Sequence, residues 1–208
     1  MKKVIDNIDK FHDYGIYIPE RTIYIGSVDV SAEHGESGTD AALAEAAIKN
    51  LFILEAMGND PIKIIQNNVG GDEHHGMAVY DAIRNCKSEV TIIGMGNIHS
   101  MGSVIFQSGD VRIIAPNAKQ LIHYGTPLHA DPDMHAKSQW SWTEECKRFS
   151  RWMEEMYLEK IREKHPDFKL RKLQEMLNFD KVLDARESVN MGLADKILGE
   201  DDDGTKSE

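Results

Sequence analysis

The stretch "GNIHSMGS" (residues 96–103) sets a lone hydroxyl, Ser100, between His99 and Met101, directly after the apolar run "VTIIGM". A polar group at the mouth of a buried strand is costly unless it is bonded or used. The nucleophile-elbow pattern G-x-S-x-G fails, because Ile98 stands where its first glycine belongs. Two readings of Ser100 remain. It can cap the helix that starts there, or it can attack a carbonyl whose developing oxyanion meets the unpaired N–H groups and positive dipole end of that helix.

Three other residue types could join it. Gly70 and Gly71, in "NVGGD", follow a second apolar run. A glycine pair there makes a tight strand-to-helix turn or a nest of exposed N–H groups. His123 closes the run "KQLIHY". It is structural unless a serine hydroxyl lies on one side of its ring and a carboxylate on the other. Asp180, in "NFDKVLDA", is one of 35 acidic residues, and nothing local singles it out.

Other chemistries are excluded or disfavoured by spacing. Neither G-x-G-x-x-G nor a Walker A pattern occurs, so no nucleotide cofactor is expected. His74, His75, His99, His129 and His135 lack H-E-x-x-H or comparable ligand spacing, so no metal is expected either. Trp140, Trp142 and Trp152, with Phe149, Met153, Met156 and Tyr157, read as a packing or subunit-contact surface.

The elements that must position these residues follow from periodicity and punctuation. Apolar runs at 21–28, 62–67, 89–96, 111–115 and 119–124 predict strands, and their continuity predicts sheet faces covered on both sides. Segments 39–58 and 77–87 predict helices between them, the first capped by Thr39 and ended by Gly58. Strands alternating with helices at these lengths predict an α/β fold with a parallel sheet. Residues 134–164 predict one long amphipathic helix or two joined ones, and 168–177 a shorter one. In "DARESVNMG", Asp184 and Glu187 have capping-box spacing and Gly192 fits the helix end. "LADKIL" predicts a last short strand. Residues 1–20 predict a flexible segment, 29–38 a polar loop, and 200–208 a disordered acidic tail.

Composition narrows the setting. The 208 residues suit one well-cored domain, here 21–199. A net charge of −11 with no basic stripe argues against nucleic acid. Two cysteines make no disulfide framework, and the start has no signal-type apolar region, so a cytoplasmic location is expected. No apolar run reaches bilayer length, so no membrane partner is expected.

Taken together and in order, "IIQNNVGGDEHHGMAVYDAIR", "VTIIGMGNIHSMGSVIFQSG", "RIIAPNAKQLIHY" and "DKVLDARESVNMGLADKIL" resemble ClpP, the proteolytic subunit of the Clp protease, over roughly residues 20 to 198. Four ordered motifs are more specific than any one alone. The resemblance implies the ClpP/crotonase-like spiral of ββα units, with a helical handle over about 125–178. It implies a serine endopeptidase in which Ser100 attacks, His123 shuttles the proton and Asp180 holds the imidazole. The N–H groups of Gly71 and Met101 would then form the oxyanion hole. It also implies a heptameric ring, or two stacked heptamers, enclosing a chamber for unfolded protein or peptide substrates. Any ATP dependence would reside in a partner ring ATPase. Several departures accompany the resemblance. "NVGG" stands where the family usually has Ser-Pro-Gly-Gly, "GTPLHADPDMHAKSQW" replaces its glycine-rich handle strand, Lys181 replaces an arginine, and 29–38 is inserted. Two alternatives compete: a non-catalytic or regulatory ring subunit, and a crotonase-type acyl-CoA enzyme.

Overall fold

The strands lie in one mixed sheet whose two longest members, β3 (Ile62–Asn68) and β4 (Val90–His99), form its centre. In this computed structural model residues 2–26, 38–125 and 134–200 are described. The order is β1 (Ile16–Tyr17), β2 (Thr22–Gly26), β3, β4, β5 (Val111–Ile114) and β8 (Lys196–Ile197). A branch leaves β4: β6 (Lys119–Ile122) pairs with it, and β7 (Lys181–Leu183) pairs with β6. The pairs are parallel except β1 with β2 and β6 with β7. The expected α/β architecture is therefore observed, with antiparallel ladders at two ends.

Helices α2 (Ala41–Ala56), α3 (Glu73–Arg84) and α4 (Met101–Phe106) alternate with β2 to β5. The caps differ from the sequence reading at two places. Asp40, not Thr39, caps α2 by accepting from Leu43 N at 2.8 Å; Thr39 bridges to Gly71 instead. Helix α3 starts four residues early, because Asp72 accepts from His75 N and caps a polar first turn that carries no apolar period. Helix α7 (Ala185–Met191) has the expected capping box of Asp184 and Glu187, and Gly192 ends it at φ +82°. Along β3, Ile62, Ile64, Gln66 and Asn68 are buried while Lys63 and Ile65 are only half-buried. One sheet face is thus incompletely covered in the isolated chain, contrary to the two-sided burial expected.

Residues 2–20 carry three short elements. Helix α1 (Lys2–Tyr14) leads through Gly15, at φ +68°, into β1 and a short 3-10 turn. Phe11 stands edge-on to Tyr17 and Tyr24, and Asn50 donates to the Tyr14 carbonyl at 2.6 Å. The amphipathic spacing of α1 and these ring contacts explain why a polar segment still finds a seat.

Two apolar cores result. The first joins the sheet to α2 and α3 through Ile23, Leu54, Ile64, Val79 and Ile92. The second joins α5 (Ala136–Lys164) and α6 (Leu170–Leu177) to the β6 branch through Ile122, Met153, Tyr157, Leu173 and Leu183. Helix α4 is the wedge between them: Ile105 and Phe106 belong to the first, Met101 and Val104 to the second. Arg112 fastens the C-terminal strand. Its buried guanidinium donates to both Asp195 carboxylate oxygens, to the Gly192 carbonyl and to Gln107 Oε1, while Gln107 Nε2 donates to the Leu193 carbonyl. The loop at 29–37, His129 with its neighbours at 126–133, and the tail at 201–208 lie outside the described residues. No helix among the described residues is long and apolar enough to cross a membrane.

Candidate active site

Strand register brings the predicted residues together. β4 and β6 run parallel with His99 opposite Leu121, so Ser100 and His123 leave neighbouring strand ends. β6 and β7 run antiparallel with Ile122 opposite Lys181, so the next step outward sets His123 opposite Asp180. Ser100 N donates to the Leu121 carbonyl at 2.8 Å, which locks the first of these ends to the second. The side chains then meet: His123 Nε2 lies 2.8 Å from Ser100 Oγ, and His123 Nδ1 lies 2.8 Å from Asp180 Oδ1.

Ser100 stands at the N-cap position of α4 but makes no side-chain cap bond. Its hydroxyl is turned to His123 instead, which sets aside the capping role. Its backbone, at φ +53° and ψ −122°, is in a region L-residues rarely visit. Such conformations cost of order 1–3 kcal/mol and persist only where the surroundings over-determine them. Here they do. A Cβ on Gly70 would come within 2.6 Å of Ser100 Cβ and 2.9 Å of the His99 carbonyl. A Cβ on Gly102 would come within 2.6 Å of the Asn68 carbonyl. The glycines let β3 and the start of α4 touch. Behind α4, the buried hydroxyl of Ser103 accepts from Gln120 Nε2 at 3.0 Å and from Tyr157 Oη at 2.9 Å.

The loop after β3 is held by Asn68, which sequence reasoning did not single out, and by Thr39, which it read only as a helix cap. Asn68 Nδ2 donates to Thr39 Oγ1 at 2.9 Å, and its Oδ1 accepts from Gly70 N at 2.8 Å. Thr39 N donates to the Gly70 carbonyl and Asp72 N donates to the Thr39 carbonyl. That bridge pattern turns the N–H of Gly71, between them, away from Thr39. Gly71 lines the cavity beside Ser100, and Met101 N is the first N–H of α4, which has no intrahelical acceptor. The signal for Asn68 was the unusual "NVGG" itself: an asparagine two residues before a glycine forms an Asx-type turn.

The cavity has a volume of about 350 Å³. Met101, Val104, Phe149 and Met153 make its apolar walls, and Asp72, Glu73 and Tyr124 line it beside Ser100 and His123. Part of the aromatic and methionine stripe on α5 therefore walls the site, while Trp140 is exposed. Tyr124 donates to Glu154, which also accepts from Gln174 Nε2. Burial, and then the Glu154 carboxylate, push the Tyr124 phenol up, so it stays a neutral donor. Exposure grades across the three bonded residues: the His123 side chain is 25% exposed and that of Asp180 68%. No group of three or more candidate metal ligands occurs among the described residues. His74 packs edge-on against Trp142 rather than converging with His75.

Known proteins share this arrangement of elements. A family model described as Clp protease matches residues 34–201. The ATP-dependent Clp protease proteolytic subunit of Deinococcus radiodurans is 25% identical over 193 residues, spanning 89% of this chain and 85% of that one. The ATP-dependent Clp protease proteolytic subunit 2 of Pseudomonas aeruginosa is 34% identical over 88 residues, 41% of this chain and 44% of that one. Among solved structures, a point mutant of ClpP1 from Listeria monocytogenes matches with a TM-score of 0.71, at 24% identity, over 90% of this chain and 95% of that one. That last likeness is one of fold.

Proposed function

This chain belongs to the Clp protease family, and from that membership we propose that it is a serine endopeptidase of the ClpP type. One observation carries the reading: a continuous chain of hydrogen bonds from Ser100 through His123 to Asp180. A non-catalytic ring subunit would have no use for it. The donor–acceptor match requires the neutral imidazole to carry its proton on Nδ1, donated to Asp180, so that Nε2 accepts from the Ser100 hydroxyl. As Ser100 Oγ attacks the peptide carbonyl, its proton passes to Nε2, and the Asp180 carboxylate stabilises the imidazolium. The N–H groups of Gly71 and Met101 receive the oxyanion. The imidazolium then protonates the leaving amine, and water resolves the acyl-enzyme by the same steps in reverse roles.

The peptidase unit spans residues 21–199, with α5 and α6 in the handle. It assembles as a ring, a heptamer or two stacked heptamers, around a chamber for unfolded protein or peptide substrates. A separate ring ATPase supplies any ATP dependence. Phe179 and Val182, both exposed and close in the chain beside Asp180, support assembly, since neighbouring apolar side chains at a surface favour a covering partner.

The test is labelling with a fluorophosphonate probe, beside Ser100→Ala, with peptide hydrolysis and a sizing run on the same samples. Labelling and hydrolysis that vanish in the variant support the reading. An assembled ring that neither labels nor cleaves sinks it in favour of a structural subunit.

A further inference from the structure

Glu73, the first residue of α3, is a wall shared by two cavities. On one side lies the cavity beside Ser100, apolar along Met101, Val104, Phe149 and Met153. On the other lies a space of about 300 Å³ bordered by His74, Arg148 and Trp152. The Glu73 side chain is 18% exposed, and its Oε1 is buried without a hydrogen-bond donor among the described residues. Nearby cations do not satisfy it. His74 Nε2 stands 3.8 Å away, beyond hydrogen-bond reach, and Arg148 is engaged by Glu145. The neighbouring carboxylate of Asp72 is occupied in capping α3. Glu73 lines the second cavity together with Glu145, Arg148, Phe149 and Trp152, which sets it against the α5 wall.

A largely buried carboxylate with one oxygen lacking a hydrogen bond is unfavourable until a donor reaches it. We propose that Glu73 makes this cavity a specificity pocket for a lysine or arginine side chain on the acyl side of the scissile bond. The aliphatic stem lies along Met101, Val104, Phe149 and Met153, and the cationic head reaches the carboxylate. An acidic side chain is repelled at the same place. This specificity rests on the peptidase reading above.

The test uses fluorogenic peptides that differ only in the residue whose carbonyl is attacked: Lys, Arg, Leu or Glu. The full-length protein should favour Lys and Arg over Leu by roughly tenfold or more in kcat/KM, with Glu poorest. Glu73→Gln, which keeps the shape, should lower the Lys-to-Leu ratio by about tenfold. Glu73→Lys should invert the ranking of Lys and Glu. Fluorophosphonate labelling of the same samples separates two kinds of failure. A protein that labels at Ser100 yet prefers Leu, or keeps its ratio in both variants, overturns the specificity role and leaves the peptidase reading standing. A protein that neither labels nor cleaves overturns both.

Discussion

Ser100 heads a helix whose six residues are all buried, between two cores, with glycines letting β3 press against its backbone. Asp180 precedes a three-residue strand, its carboxylate two-thirds exposed, and its register rests on one short antiparallel ladder. Ser100 is thus held by packing, which resists small displacements. The acid is held by a hydrogen bond in water's reach, which contributes little by itself. Damage on the first side should therefore appear in stability as well as chemistry, and on the second in chemistry alone.

Four measurements test that contrast. The largest effect is expected from Ser100→Ala: loss of probe labelling and a fall in kcat/KM on the order of 10⁴-fold or more, with the sizing profile kept. Next, Asp180→Asn should lower kcat/KM by roughly 10²- to 10⁴-fold by presenting His123 with the wrong partner for its tautomer. Its urea unfolding midpoint should stay near that of the parent; a large loss of stability there would break the contrast. Third comes a matched pair of glycines. Gly70→Ala should destabilise by about 1–3 kcal/mol through backbone overlap and strain. At Gly125, on the His123 side, a Cβ would meet only His123 Nε2 at 3.8 Å. Gly125→Ala should therefore cost only the backbone term of about 1 kcal/mol. Equal losses in denaturant titration would deny that the two sides differ in packing.

The smallest effect concerns Tyr157, whose phenol is pushed up by burial behind α4. Its proton is kept in the folded protein at a pH where the unfolded chain gives it up. The unfolded state then binds fewer protons, so stability is full below about pH 10 and falls as pH rises beyond it. Tyr157→Phe should cost about 1 kcal/mol near neutrality, from the lost bond to Ser103, and flatten that alkaline decline. Unfolding free energies between neutrality and pH 11 check both; an unchanged slope would mean that Tyr157 is wetter than its packing states.

The same contrast explains what could be read from sequence. The long central strands, α2, α5 and the Asp184–Glu187 capping box announce themselves by period or punctuation, and the structure places each within a few residues of expectation. Ser100 was legible because it interrupts an apolar run. Asp180 was not: β7 is too short to show a period, and only the order of motifs pointed to it. Helix α3 begins on Glu73, His74 and His75, which carry no apolar rhythm, so its start stayed hidden. Asn68 and Thr39 matter through a pairing 29 residues apart, which no local pattern encodes.

The clasp around Arg112 has a consequence for the order of synthesis. Gln107 is the C-cap of α4, and both it and Arg112 are satisfied by acceptors that arrive with Gly192, Leu193 and Asp195. A ribosome-bound chain that stops short of those residues leaves a buried guanidinium without its carboxylate and its Gly192 carbonyl, a penalty of several kcal/mol at the far end of the helix that Ser100 heads. The hydroxyl at the near end should therefore be seated only once nearly the whole polypeptide has emerged. Stalled nascent chains ending before residue 192 should fail to take the fluorophosphonate label, and labelling of such chains would refute the coupling.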